Sequence, residues 1–321
     1  MDASKTNPAP LPPDEELTEV RKPASLLIAQ FFLFPLIIIG ICVGIFLFFG
    51  YMTYRPGTIS EYLDEVRFGA GTQRWQAAFE LSTRVKSNPQ QAQSPEFLDR
   101  LVTTYKSSPD EDITVRRYLA LVFGELKTRS AVPLLVEELN RSEQLKTADW
   151  SQKSWATFLK PSLAQIAEDL AQQQISTLYA LGSIGDNSAV PGVLEQTKNQ
   201  DPSIRKMAAY VLGVLGDPEA VSGLRPLLSD PKEDVRINTA LAMAMLGNSE
   251  GAELLMKLLD AGYVDSLQDF TAEQKAAMRA NAVRALANLK YEPARDKIRE
   301  VSKGDPAPTV QGAALEALNR F

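Results

Sequence analysis

A register of 31 residues runs through this chain and restricts its fold more than any other feature: Gln174, Arg205 and Arg236 stand 31 positions apart. Arg205 closes Asp201-Pro202-Ser203-Ile204-Arg205 and is followed by Ala208, Ala209, Leu212, Gly213, Leu215 and Gly216-Asp217, then Val221, Leu224 and Leu227-Leu228. Arg236 closes Asp230-Pro231-Lys232-Glu233-Asp234-Val235-Arg236 and leads to Ala240, Met243, Ala244, Leu246 and Gly247-Asn248, then Leu254, Leu255, Leu258 and Leu259. Gln174 is followed by Gly182, Ile184, Gly185-Asp186 and Val190-Pro191. A unit this short cannot bury its own apolar face, so its copies must stack on one another.

More distant copies carry the same marks. Val115-Arg116 with Gly124, Leu126 and Val132-Pro133-Leu134-Leu135 is an earlier one, and Met278-Arg279 with Ala287, Leu289 and Ile298 a later one. A half copy runs from Asp305-Pro306 through Val310, Ala313-Ala314 and Leu318 to the end. Two spacings are stretched, Arg116 to Gln174 and Arg236 to Arg279, which places insertions near 141–162 and 260–272. Apolar residues recur at three- and four-residue spacing and no stretch sustains period-two alternation, so every copy reads as helices. Asp-Pro starts a helix, because Asp accepts a free N–H and Pro suits the first helical position. Ala, Leu and Gly then line one face, Gly-Asp or Gly-Asn supplies a left-handed cap and turn, and a second helix closes the hairpin. The glycines at 124, 182 and 213 read as packing residues between helices.

The N-terminal part is different. Residues 1–24 hold Pro8, Pro10, Pro12, Pro13 and Pro23 with few large apolar residues, the composition of a disordered tail. From Pro23 to Tyr54 no side chain is charged. A helix of about 26 residues at ~1.5 Å each spans roughly 39 Å, more than the ~30 Å of a hydrocarbon core. Residues 25–54 are therefore expected to form a single transmembrane helix, locally opened at Pro35, with 55–71 as a juxtamembrane linker or helix and the repeats over 72–321. Within the span, Gly40 and Gly44 form a small-xxx-small pair that lets a second helix, a homodimer partner included, approach closely; glycine is also simply common in such helices. Arg21 and Lys22 abut the span on its N-terminal side, which favours a cytoplasmic N-terminus with the repeats on the other side.

The repeat pattern resembles the short bacterial form of the HEAT repeat called phycobilisome-lyase HEAT-like, whose consensus orders Asp-Pro, Val-Arg, Ala-Ala, Leu-Gly and Leu-Gly-Asp as this chain does. The resemblance covers about two thirds of the chain and is clearest over 163–259, with 72–107, which contains Arg74-Trp75-Gln76-Ala77-Ala78-Phe79, resembling a degenerate capping repeat. It implies an all-α fold, an α-solenoid of about six to seven HEAT-like hairpins added to the N-terminal transmembrane helix, in a bacterial inner membrane. It also implies that Arg116, Arg205, Arg236 and Arg279 bond acidic or carbonyl groups between neighbouring hairpins, with ligand contact as the alternative role.

Composition narrows the function. There is no histidine, which removes the usual general base and imidazole metal ligand, and the one cysteine, Cys42, allows neither an intramolecular disulfide nor a cysteine zinc site. The relatives implied by the resemblance fare no better as enzymes. Deoxyhypusine hydroxylase needs His-Glu pairs, and HEAT-type DNA glycosylases need a basic face, whereas the chain from Arg55 onward holds 31 basic and 35 acidic side chains. A bilin lyase or chaperone is left as the remaining enzymatic relative, against which the expected anchor argues.

The expectation is a non-enzymatic, membrane-anchored scaffold without a cofactor and without nucleic acid. It would grip a protein partner on a concave face built from second helices at 130–139, 188–198, 218–228 and 250–259. The alternative is an accessory subunit held through the span. Trp150, Trp155 and Phe158, in the first insertion, are the expected partner contact outside the groove, since tryptophan is enriched among interface hot spots; the same rings could instead cover the chain's own apolar surface.

Overall fold

The computed structural model describes residues 32–53, 57–146 and 162–321. Two compact units divide the chain between Pro56 and Gly57. The first contains α1, Phe34–Thr53, a 20-residue helix with no charged residue. Phe32 and Leu33 form a wider π turn just ahead of it, the opening that a ring without an N–H at Pro35 imposes on the turn before it. The side chains of α1 are described from Phe34 to Phe49 and are exposed, and a Cβ placed on Gly40 or Gly44 would meet nothing within 4 Å. Among the described residues no helix is long and apolar enough to cross a membrane. Of the span expected over 25–54, the structure therefore shows one uncharged helix and no crossing; the tail at 1–24 lies outside the described residues.

In the second unit, all regular structure among the described residues is helical. It opens with α2, Ile59–Phe68. Six hairpins follow in chain order: α3 Thr72–Ser87 with α4 Pro95–Ser107, α5 Ile113–Glu125 with α6 Val132–Lys146, α7 Leu163–Ile184 with α8 Val190–Gln196, α9 Pro202–Leu215 with α10 Val221–Leu224, which a 3-10 segment prolongs to Ser229, α11 Glu233–Met245 with α12 Ala252–Lys257, and, after the short α13 Ala261–Ser266, α14 Ala272–Asn288 with α15 Arg295–Gly304. The half copy α16, Pro308–Leu318, ends the stack. First helices pack on first helices: α3 on α5, α5 on α7, α7 on α9, α9 on α11, and α14 on α16. Seven residues past each register position, Phe123, Leu181, Leu212, Met243 and Leu286 are fully buried, a layer in which truncation of a Leu costs about 2–5 kcal/mol.

Two features depart from the sequence-based reading. The segment 55–71, expected as a juxtamembrane linker or helix ahead of the repeats, carries a helix that packs with them: Thr58 and Glu61 close a capping box on α2, and Ile59, Leu63 and Val66 are buried in the same core as α3 and α5, so the packed unit begins at Gly57 rather than at 72. Of the Asp-Pro steps that open a copy, only Asp201-Pro202 starts an α-helix directly. After Asp230 and Asp305 the helix begins later, at Glu233 and Pro308. Those two carboxylates accept the N–H two residues on, from Lys232 and Ala307 at 2.9 Å each, and are further held by an arginine of the preceding hairpin. The glycine caps do follow the pattern, with left-handed φ of 70°, 75° and 74° at Gly185, Gly216 and Gly247. The corresponding turns of the α5 and α14 hairpins use Lys127 and Lys290, at φ 50° and 49°.

The register side chains form a chain of clamps from hairpin to hairpin. Arg205 gives Nε and Nη2 to the two oxygens of Asp230 at 2.7 and 2.9 Å, and Nη1 to the carbonyls of Asn199 and Gln200 at 2.9 Å each. The backbone carbonyl of the same Asp230 accepts Nη1 of the next register residue, Arg236, at 2.6 Å. Asp305 repeats this double use, pairing with Arg279 through its side chain and accepting Nε2 of Gln311 at its carbonyl at 2.7 Å. Gln174 reaches Glu143 at 2.7 Å. Arg116 is buried, donates to Glu138 and to the carbonyls of Tyr105 and Ser108 at 3.2 and 2.8 Å, and lies 4.5 Å over the Tyr105 ring.

Close approach of first helices rests on glycine. A Cβ on Gly213 would stand 2.8 Å from Cα of Ala242, and one on Gly124 2.9 Å from Cα of Ala180, whereas the atoms nearest one on Gly182 belong to the Val211 side chain, the first a methyl at 3.3 Å. Gly213→Ala is therefore expected to cost about 1–3 kcal/mol by overpacking against backbone. Gly182→Ala should stay within about 1 kcal/mol of wild type, because the better helix former offsets a yielding contact. Urea unfolding followed by circular dichroism distinguishes the two; equal losses would contradict the asymmetry.

The clamps also predict acid lability. Hydrogen bonding by Arg205 holds the Asp230 carboxyl below its usual range, and two 2.6 Å bonds from Arg225 bring Glu250 down to about 2. Because the folded values lie below the unfolded ones, the stabilisation is present above the unfolded carboxylate value of about 4 and is lost as pH falls through the folded values. The urea midpoint of the wild type should drop between pH 5 and about 2, and the Asp230→Asn/Glu250→Gln double variant should show a shallower drop.

Candidate functional site

Among the described residues the stack opens where the register stretches from 31 residues to the 43 that separate Arg236 from Arg279. The insertion carries α13, pinned by buried Val264 and Leu267 and by the Tyr263 hydroxyl, which donates to Glu233 at the start of α11. Burial, then that hydrogen bond, pushes the Tyr263 phenol up to about 12. α14 consequently meets α11 more sparsely than any other first helix meets its predecessor. The core divides at the same place: Ala242 and Met243 of α11 belong to the cluster that runs back to α2, while Ile237 and Ala240 belong to the one that continues to α16. At the register position of Gly213, α11 has Ala244, a residue for which the wider spacing leaves room.

A cavity of about 340 Å³ opens on this seam. Its floor and one wall are Leu241, Ala242, Ala244 and Met245 of α11, with Asn238 from the same helix and Tyr210 from α9; the other wall is Asn281, Arg284, Ala285 and Asn288 of α14. Met245 is 55% exposed and Tyr210 45%. Arg284 donates Nη1 to the amide oxygen of Asn281 at 3.3 Å, and Asn288 accepts from Arg320.

The cavity lies at the end of a row. Tyr179, Tyr210, Leu241 and Arg284 each follow their register residue by five positions and so occupy one place on successive first helices. Val214 on α9 and Trp75 and Phe79 on α3 are also exposed, with Phe79 edge-on to Tyr118 at 5.4 Å. Among the described residues, every exposed large apolar side chain of the second unit except Phe68 sits on a first helix. Second helices show solvent residues such as Glu137, Glu195, Glu253, Lys257 and Arg299 instead. The sequence-based reading puts the partner-facing surface on second helices; the structure puts the exposed apolar surface on the first.

The residues singled out in the sequence fall into three groups. Arg116, Arg205, Arg236, Arg279 and Asp230 lie in the clamps, with Asp201 capping α9, and Gly124, Gly182 and Gly213 in the contacts between first helices. Gly40 and Gly44 lie on α1. Trp150, Trp155 and Phe158 lie outside the described residues. Among those described, no group of three or more His, Cys, Asp or Glu could hold a metal ion. The seam residues Tyr210, Met245, Asn281 and Arg284 are the ones sequence reasoning missed. Their signal was the stretched register together with an arginine in a row otherwise occupied by Tyr and Leu.

Residues 161–229 and 190–269 match the family model of HEAT repeats, so the hairpins on both sides of α9, and the approach to the seam, are HEAT repeats. No curated protein matches the chain in sequence. Among solved structures, the chain is similar to the complex of CpcE and CpcF of phycocyanin lyase from Nostoc, with 17% identity over 83% of this chain and 96% of that one and a TM-score of 0.49. It is also similar to two engineered proteins, at 18% identity, 82% and 68% coverage and a TM-score of 0.41, and at 15% identity, 82% and 95% coverage and a TM-score of 0.37.

Proposed function

We propose that this chain is a non-enzymatic HEAT-repeat scaffold, anchored in a membrane through α1, that holds a protein partner against the outward face of its first helices. The observation that carries the reading is the partition of the repeat surface, with exposed Tyr179, Tyr210, Val214 and Met245 on first helices and charged residues on second ones. Exposed aromatic and methionine side chains gathered on one face are the composition of interface cores rather than of solvated surface. The anchor is supported by the uncharged run from Pro23 to Tyr54, of which α1 is the described part. The flanking Arg21 and Lys22 favour a cytoplasmic N-terminus, with the repeats outside the cytoplasm of a bacterial inner membrane. A second reading has the protein held in a membrane complex mainly through α1, and the open surface at Gly40 and Gly44 supports it.

Full-length variants separate these readings. Tyr179→Glu/Val214→Glu changes the first-helix face, and Gly40→Ile/Gly44→Ile changes α1. With helical content unchanged, the first pair is expected to lower partner recovery from detergent extracts at least tenfold and the second to leave it near wild type. The reverse pattern transfers the affinity to α1. The wild type should remain in the membrane pellet after alkaline carbonate washing, and its release would overturn the anchor.

A further inference from the structure

Almost every arginine among the described residues of the repeat unit has a carboxylate or a ring for a partner. Most pair with a carboxylate, as Arg74 does with Asp112, Arg205 with Asp230 and Arg225 with Glu250. Arg67, Arg84 and Arg117 lie 5.0, 5.2 and 5.0 Å over the rings of Phe68, Tyr62 and Tyr118. Among the described residues only Arg284 and Arg320 have neither, and each donates to an asparagine amide oxygen, of Asn281 and Asn288 respectively. Both asparagines line the seam cavity, and so does Arg284. In a chain that holds 40 acidic side chains, Arg284 has neither a carboxylate nor a ring for a partner, and it stands beside the cavity with the exposed apolar wall.

We propose that the α11–α14 seam seats a segment of a partner protein that pairs one bulky apolar side chain with a carboxylate about one helical turn away. The inference rests on the scaffold reading above and names the partner's chemistry. At about 340 Å³ the cavity is at the small end of the ~300–1,000 Å³ range of ligand sites, which suits a side chain against Leu241 and Met245. The guanidinium fork of Arg284 matches a carboxylate in two parallel hydrogen bonds, a stronger arrangement than its present bond to a neutral amide. Side chains at i and i+3 or i+4 lie ~5–6 Å apart on a helix, so one short segment can present both groups. The amides of Asn238, Asn281 and Asn288 offer donors and acceptors of the kind a peptide backbone engages. Charge sets the sign: the same segment with lysine in place of the acid would place two cations together.

The test uses the full chain in detergent and a random dodecapeptide library displayed on phage, with recovered peptides synthesised and their affinities read by fluorescence anisotropy. The expected peptides carry Leu, Ile, Phe or Trp three or four positions from Asp or Glu. They should lose at least tenfold in affinity when that acid becomes Gln or Lys, and lose it likewise against Arg284→Gln. Asn281→Trp, which fills the cavity from an exposed position, should abolish binding with the melting temperature unchanged. Recovery of peptides without acidic enrichment, of peptides indifferent to both variants, or of none at all would overturn the proposal. Such a failure, combined with loss of the natural partner in Tyr179→Glu/Val214→Glu, would remove the seam inference and leave the scaffold reading standing. Partner recovery unchanged in that pair would remove the scaffold reading itself.

Discussion

The bond on which this architecture depends is the one between a register arginine and the aspartate at the head of the next hairpin. Asp230 is held from both sides, its carboxylate by Arg205 and its carbonyl by Arg236, so one residue joins two consecutive copies. Such largely buried pairs add little net stability, since desolvation offsets most of the Coulombic gain, but leaving one partner unpaired is costly. Their effect is on register: a hairpin that slips relative to its neighbour loses the fork and exposes the carbonyls that the fork satisfies. Stability itself comes from the apolar layer of Phe123, Leu181, Leu212, Met243 and Leu286 and from the close approach that Gly124 and Gly213 permit.

A stack locked in this way leaves little room for a ligand, and the site arises where the period breaks. The α13 insertion separates α14 from α11, the core divides in two, and the face that elsewhere is closed by Gly213 against Ala242 becomes a cavity. The lock nevertheless resumes at once, with Arg279 on Asp305 and Gln311 on its carbonyl. Since a repeat contacts chiefly its neighbours, one sparse interface can be accommodated without loosening the rest.

What could be read from the sequence follows from which interactions are local. The 31-residue period, the glycine caps and the helical class depend on spacing and backbone conformation, and Gly185, Gly216 and Gly247 stand where that logic puts them. The roles of Arg205 and Arg236 came through resemblance, and the structure shows the bonds themselves. The delayed helix starts after Asp230 and Asp305 were illegible because the competing arginine lies 25 or 26 residues earlier in the chain. The packing of α2 was hidden by its short amphipathic pattern, Ile59, Leu63 and Val66, next to an uncharged run that dominates the region. The choice of exposed face was illegible for a further reason: both helices of a hairpin are amphipathic, and only the packed arrangement shows that Tyr179 and Tyr210 face outward while Val193 and Leu224 are buried.

Sparse packing makes the α11–α14 seam the weakest joint of an otherwise continuous stack. Hydrogen exchange of the full-length protein under native conditions tests it directly, because cooperative units open with distinct free energies. The expected result is one opening shared by α14 to α16 and another shared by α5 to α9, with the boundary falling in α11. A single opening from α3 to α16, or a boundary on the α9 side of Gly213, would contradict it.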